Sequence, residues 1–234
     1  MSNSNMEQMS AERMLDGLLK HRESLFQEIV KGTDVGTKLK WFTLSTLALL
    51  GLYGLSMGIY NGPAQAAAAL VKMPMLFFLT LLVCFPVLHV LNVLFGAKTR
   101  FLSTLALIMA SITTASIILG ACAPIIFFFV ISGSGYSFMK LLHVFVTGTA
   151  ASIGVISMYR GLMVVCENDG IYPKSAIRIL RIWLFIFAFV GTQMVWSLRP
   201  LVGDRSQKFE IIRSNREGNF YSSVIHSVKD ILND

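Results

Sequence analysis

Residues 101–132 read FLSTLALIMASITTASIILGACAPIIFFFVIS, more than thirty positions without one charged side chain. Such a run is apolar all the way round and has no face to offer to water. Lipid suits it: inside a bilayer each backbone N–H and C=O must be satisfied within the segment, which a helix of about 20 residues does while crossing the core. The run is long for one ordinary crossing and short for two. Gly120 and Pro124 supply the only turn chemistry in it. The expectation is a hairpin of two short helices, over 101–119 and 122–133.

Working outward, comparable apolar blocks lie at 41–60, 73–95, 141–165 and 179–198. The fold class expected is all-α, a polytopic transmembrane helix bundle of six spans, with five as the alternative. An amphipathic N-terminal tail (1–40), the bundle (41–198) and a C-terminal segment (199–234) with its own amphipathic helix complete the organisation. Composition agrees. Hydrophobic residues make up 54% and charged residues only 14%, against about 25% charged in an ordinary soluble domain. Mean hydropathy is +0.65.

The formal charge of +7 does not point to nucleic acid, because the basic residues flank apolar segments and do not interleave with exposed aromatics. A membrane surface explains them. Basic residues also orient the spans, since they favour the cytoplasmic side. With six spans and a cytoplasmic N-terminus, Arg13, Lys20, Arg22, Lys31, Lys38, Lys40, Lys98, Arg100, Lys140, Arg199, Arg205, Lys208, Arg213, Arg216 and Lys229 lie inside. That is 15 of the 20 Lys and Arg, leaving 5 outside. Merging the third and fourth segments gives 12 against 8. The count favours six spans with both termini cytoplasmic, although Lys174, Arg178 and Arg181 then fall on the wrong side.

Within the spans, Gly51, Gly54 and Gly58 share a face, and Gly148 with Ser152 and Ala150 with Gly154 form two small-xxx-small pairs. Small residues let helix backbones approach closely, here for packing within the chain or at a dimer face. His89 and Asn92 lie one turn apart after Pro86. Neither belongs against hydrocarbon, so the pair either lines a polar cavity or forms interhelical hydrogen bonds. Ser103, Ser111, Thr113, Thr114 and Ser116 can bond back to their own helix. No Asp or Glu falls between Asp34 and Glu167, which removes the acidic groups that usually couple cations or protons. The spacings of Cys84, Cys122 and Cys166 match no metal knuckle. No catalytic set, cofactor loop or metal site is expected, and the solvated loop is the reading for Cys166, Glu167 and Asp169.

The last span ends in Gly191-Thr192-Gln193-Met194-Val195-Trp196-Ser197-Leu198-Arg199-Pro200. Gln193 needs a partner, Trp196 suits the headgroup boundary, and Arg199 snorkels beyond it. After it come Gly218, Asn219, Phe220 and Tyr221, the expected turn of a docking segment. Val224, Ile225, Val228, Ile231 and Leu232 then follow at helical spacing.

The run Gly191 to Pro200, with Phe209, Arg213 and Gly218 to Tyr221, resembles the closing signature of an uncharacterised family of bacterial multispan membrane proteins. Pro86, Asn92, Gly96 and the Ala123-Pro124 pair add to the likeness, which covers about residues 41–232. It implies a compact bundle in a bacterial cytoplasmic (inner) membrane. The layout is also similar, at the level of hydropathy, to Yip-type trafficking proteins. In the tail, Met14, Leu15, Leu18, Leu19, Arg22, Leu25, Phe26, Ile29 and Val30 form a helical stripe that should stop at Gly32. Within it, Arg22-x-x-Leu25-Phe26-x-x-Ile29-Val30-x-Gly32 followed by Leu39-Lys40 resembles the WASP-homology-2 actin-binding motif, a label some members of the bacterial family carry. Trp41 opens a span directly after it and leaves little room for an actin subunit, so the tail reads as an interfacial or bundle-capping helix.

Functionally, the expectation is a non-enzymatic assembly or scaffold subunit of a membrane complex. Its partners would be the lipid bilayer and either its own copies or other membrane subunits. The alternative is a channel or small-solute carrier with His89, Asn92 and Gln193 along its path.

Overall fold

The computed structural model describes residues 16–94, 98–170 and 173–198. Within them the regular structure is helical: α1 (Arg22–Lys31), α2 (Val35–Gly58), α3 (Pro63–Leu94), α4 (Phe101–Ile131), α5 (Tyr136–Asp169) and α6 (Pro173–Ser197), with a 3₁₀ turn at Ile59–Asn61 between α2 and α3. The helices α2 to α6 are each long and apolar enough to cross a membrane. The chain is an all-α membrane protein, with five such helices among the described residues.

The hairpin expected at Gly120–Pro124 does not form. One helix of 31 residues runs from Phe101 to Ile131 with Pro124 inside it, and the six-span count gives way to five. Two physical reasons favour the single helix. A turn at this depth would leave several backbone groups without partners in hydrocarbon, each at a cost of several kcal/mol, whereas an internal proline frees only one carbonyl. Gly120 serves packing instead of turning: a methyl group there would stand 2.8 Å from Leu49 Cδ2. At 31 residues α4 is about 46 Å long, more than the roughly 30 Å core requires, and tilting accommodates the excess.

The other spans also outrun their expected limits, because polar residues at their ends continue the helix beyond the apolar block. Thus α2 begins at Val35, α3 at Pro63, α5 at Tyr136 and α6 at Pro173. Pro63 and Pro173 open their helices, where a missing N–H costs nothing. Gly133 and Gly170 follow α4 and α5 with φ of 76° and 68°, a left-handed conformation that ends helices cheaply only for glycine.

The chain divides into two compact units. Among the described residues, the first comprises 16–46, 85–94, 98–115, 152–170 and 173–184, and the second 47–84, 116–151 and 185–198.

In the first unit α4 is central. Between Ser103 and Ala115 only Leu105 and Ile112 escape full burial. The hydroxyls of Ser111, Thr113 and Thr114 donate to the carbonyls of Leu107, Met109 and Ala110, at 3.0, 2.7 and 2.9 Å. Thr113 also meets Thr46 of α2 at 3.0 Å. Gly154 of α5 lies against α4, where an added methyl would stand 3.1 Å from the Ala115 Cβ. The N-terminal stripe is interrupted: residues 16–19 are helical, Lys20 turns, and α1 starts at Arg22. It stops at Gly32 in a left-handed conformation (φ 85°), as expected. Leu25, Phe26 and Ile29 are buried, and the Phe26 ring packs beside Gly161 of α5. Lys38 Nζ, itself buried, bonds Glu28 at 2.7 Å and the Thr33 carbonyl at 2.8 Å.

In the second unit α2 and α3 nearly touch. A methyl on Gly54 would overlap the Ala69 backbone, and one on Gly58 would stand 2.6 Å from the Ala66 Cα. The glycine face of α2 is therefore used within the chain. Tyr60 and Tyr136 lie 6.2 Å apart between ring centroids, and Lys140 sits 4.9 Å from the Tyr136 ring.

Candidate functional site

His89 and Asn92 belong to the first unit, near the end of α3. The His89 imidazole lies 4.9 Å from the Phe101 ring, edge to face, and stacks at 6.1 Å on Phe85. Its Nδ1 is buried without a hydrogen-bond partner. The interhelical hydrogen bond expected of His89 is thus replaced at Nδ1 by aromatic packing, which holds a flat ring without spending its polar atoms. Asn92 faces a small pocket that it shares with Thr99 and Thr104, walled by Leu88, Leu107, Met158, Leu162 and Leu180. At about 40 Å³ the pocket has room for a very small solute or a water, well below the roughly 300–1,000 Å³ of ordinary ligand pockets.

Beside this pocket, Asp169 does more than sit in a solvated loop. One carboxylate oxygen accepts the Lys98 backbone N–H and the Thr99 hydroxyl, both at 2.9 Å. The other accepts from the Asn168 amide at 2.9 Å. Two connections distant in sequence are tied at one carboxylate, and charge-assisted bonds of this kind are stronger than neutral ones. Glu167 is exposed and Cys166 buried.

Gln193 and Trp196 belong to the second unit, on α6. Gln193 is exposed and Trp196 half-buried. Gln193 therefore does not point into the interior as a path residue would. Arg199 and the segment Gly218, Asn219, Phe220 and Tyr221 lie outside the described residues, as do the remainder of the C-terminal helix and its docking.

The second unit also holds a pair that the sequence reading passed over. The Tyr53 hydroxyl and His143 Nδ1 lie 3.0 Å apart, from α2 to α5, with both residues buried. Their rings meet edge to face, with centroids 5.7 Å apart. The other ring nitrogen, Nε2, is buried without a partner. An available signal was a lone histidine inside an apolar block. Nothing in the sequence pairs it with a tyrosine 90 positions earlier. Lys72 was likewise passed over: it is buried within α3.

The two small-residue pairs of α5 part company. Ala150 and Gly154 are buried, whereas Gly148 and Ser152 are exposed, and nothing lies within 4 Å of where a Gly148 methyl would be. Comparisons with protein-family models, with curated proteins and with solved structures return no match.

Proposed function

We propose that this chain is a non-enzymatic membrane subunit that acts by assembling within the bilayer, with its own copies or with other membrane chains. The observation that carries the reading is Gln193. It stands exposed on α6, one turn beyond Phe189. Gln193 lies about 18 Å along the helix axis from Arg181, roughly at mid-bilayer if Arg181 marks the boundary. Lipid tails offer an amide nothing to bond, so a polar residue at that depth calls for another protein surface. The exposed Gly148 and Ser152 on α5 offer a second surface where backbones could approach.

Five crossings change the expected orientation. With a cytoplasmic N-terminus, the connections at 95–100 and 170–172 share its side, and residues beyond Ser197 lie opposite. The Lys and Arg count of 12 against 8 still favours this direction. It also places Lys174, Arg178 and Arg181 with the other cytoplasmic cations and removes the earlier conflict. A bacterial cytoplasmic membrane is the setting this reading takes. The burial of Leu25, Phe26 and Ile29 commits the apolar residues of the actin-like motif to the protein itself, which supports a capping helix over an actin site.

The polar side chains of Asn92, Thr99 and Thr104 around one small pocket support a second reading, a carrier of a very small solute, in which Gln193 would have no part. Mass measurement of the protein extracted with its native lipid distinguishes the two. A discrete multiple of the chain mass, or a defined co-purifying chain, supports assembly. A single chain with solute-dependent stabilisation supports the carrier.

A further inference from the structure

The exposed side chains of α6 form one stripe with two chemistries. Lys174, Arg178 and Arg181 come first, then Ile182, Phe185 and Phe189, all exposed. Positions i, i+4, i+7, i+8, i+11 and i+15 fall within roughly a third of the helix circumference. None of the three cations forms an ion pair among the described residues. They also occupy the first turns of a helix without an acidic residue there. Cations at that end face the positive pole of the helix dipole, an arrangement that an added anion relieves.

The apolar half, Ile182 to Phe189, covers about 10 Å along the axis, and the stripe with its guanidinium pair has the length of one leaflet of a lipid. From Arg178 to Phe189 is about 16 Å along the axis, close to half of a roughly 30 Å hydrocarbon core. A phosphate held by the two guanidinium forks would leave its acyl chains lying along Ile182, Phe185 and Phe189, within one leaflet. An acidic protein segment would match the cations but not the apolar strip that continues directly from them.

We propose that this face of α6 binds an anionic phospholipid, with Lys174, Arg178 and Arg181 on the phosphate and Ile182, Phe185 and Phe189 on the chains. Arginine recognises phosphate oxygens in pairs, and lysine adds a point charge. Gln193 continues the same face about 6 Å beyond Phe189, so a chain covering Gln193 and a lipid lying along Ile182 to Phe189 are neighbours that use different side chains.

The test is native mass spectrometry of the full chain released from nanodiscs of equal phosphatidylcholine and phosphatidylglycerol. The wild type is expected to retain phosphatidylglycerol in preference. The variant Lys174→Ala/Arg178→Ala/Arg181→Ala is expected to lose that preference about tenfold or more. The control Lys20→Ala/Lys31→Ala/Lys40→Ala removes equal charge from exposed positions and should keep most of it. Should the triple α6 variant insert poorly, Arg181→Gln alone is expected to lower the preference up to about fivefold. No preference in the wild type would overturn the proposal, as would an equal loss in both triple variants. So would an unchanged lipid ratio accompanied by loss of a co-purifying acidic protein.

Discussion

The hydroxyl of Tyr53 and Nδ1 of His143 meet at 3.0 Å across α2 and α5, although 90 positions separate them. Both groups are polar, both are buried, and each answers the other's need for a partner. Tyr53→Phe removes the hydroxyl while keeping the ring, so it should lower stability by about 1 kcal/mol, the scale of hydrogen bonds between membrane helices. Adding His143→Phe removes the stranded nitrogen and should recover part of that loss. Reversible unfolding in mixed micelles measures both. A neutral Tyr53→Phe would mean that the two groups do not bond.

Glycines on α2 and α5 should respond in opposite ways. A methyl at Gly58 would stand 2.6 Å from the Ala66 Cα, whereas one at Gly148 meets nothing within 4 Å. Gly58→Ala should therefore destabilise by about 1–3 kcal/mol through overpacking. Gly148→Ala should be neutral or stabilising by up to about 1 kcal/mol, as for glycine in a helix interior. Thermal melting of the two purified variants side by side checks the contrast, and equal effects would contradict the α2–α3 packing.

The N-terminal helix should stay docked. Phe26 is fully buried, and Lys38 pairs with Glu28 at 2.7 Å. Phe26→Asp puts a charge into that site and should free α1, with trypsin cutting at Lys31 at least tenfold faster than in the wild type; opening by as little as about 1.4 kcal/mol suffices for such a factor, and a buried unpaired charge costs more. Proteoliposomes carrying the wild-type chain should retain no actin monomers. Retention of actin by the wild type would show that Leu25, Phe26 and Ile29 leave the core.

The number of crossings decides the side on which each connection lies. Cysteines placed at Thr99 and Ser134, in a background lacking Cys84, Cys122 and Cys166, should be labelled from opposite sides by a membrane-impermeant thiol reagent. A cysteine at Ala121, inside α4, should resist labelling from both sides. Ready labelling at Ala121 would restore the hairpin and six spans.

The membrane class and the apolar blocks were legible because uninterrupted hydrophobicity has one stable solution in water-filled cells, a bilayer. The end of α1 at Gly32 was legible too, since the stop signal is local. The Gly120–Pro124 turn was misread because turn chemistry is scored against water, whereas lipid penalises the unbonded turn and tolerates the internal proline. The Tyr53–His143 pair was illegible for a different reason: contact across helices depends on which faces meet, and one sequence does not encode that locally. Gln193 was read as needing a partner and, in the carrier alternative, as lining a path. The expectation of an inward-facing side chain failed, because rotation of α6 is set by packing against its neighbours and not by its own composition.

The assembly account rests on Gln193 being covered by another chain at about mid-bilayer depth. A photo-crosslinking side chain introduced at position 193 and illuminated in native membranes tests it most directly, with the exposed Leu102 position of α4 as the control. The account predicts a discrete protein–protein product at position 193, of one defined mass, that is weak or absent at position 102. Adducts to lipid alone at position 193, at the level found for position 102, would contradict it.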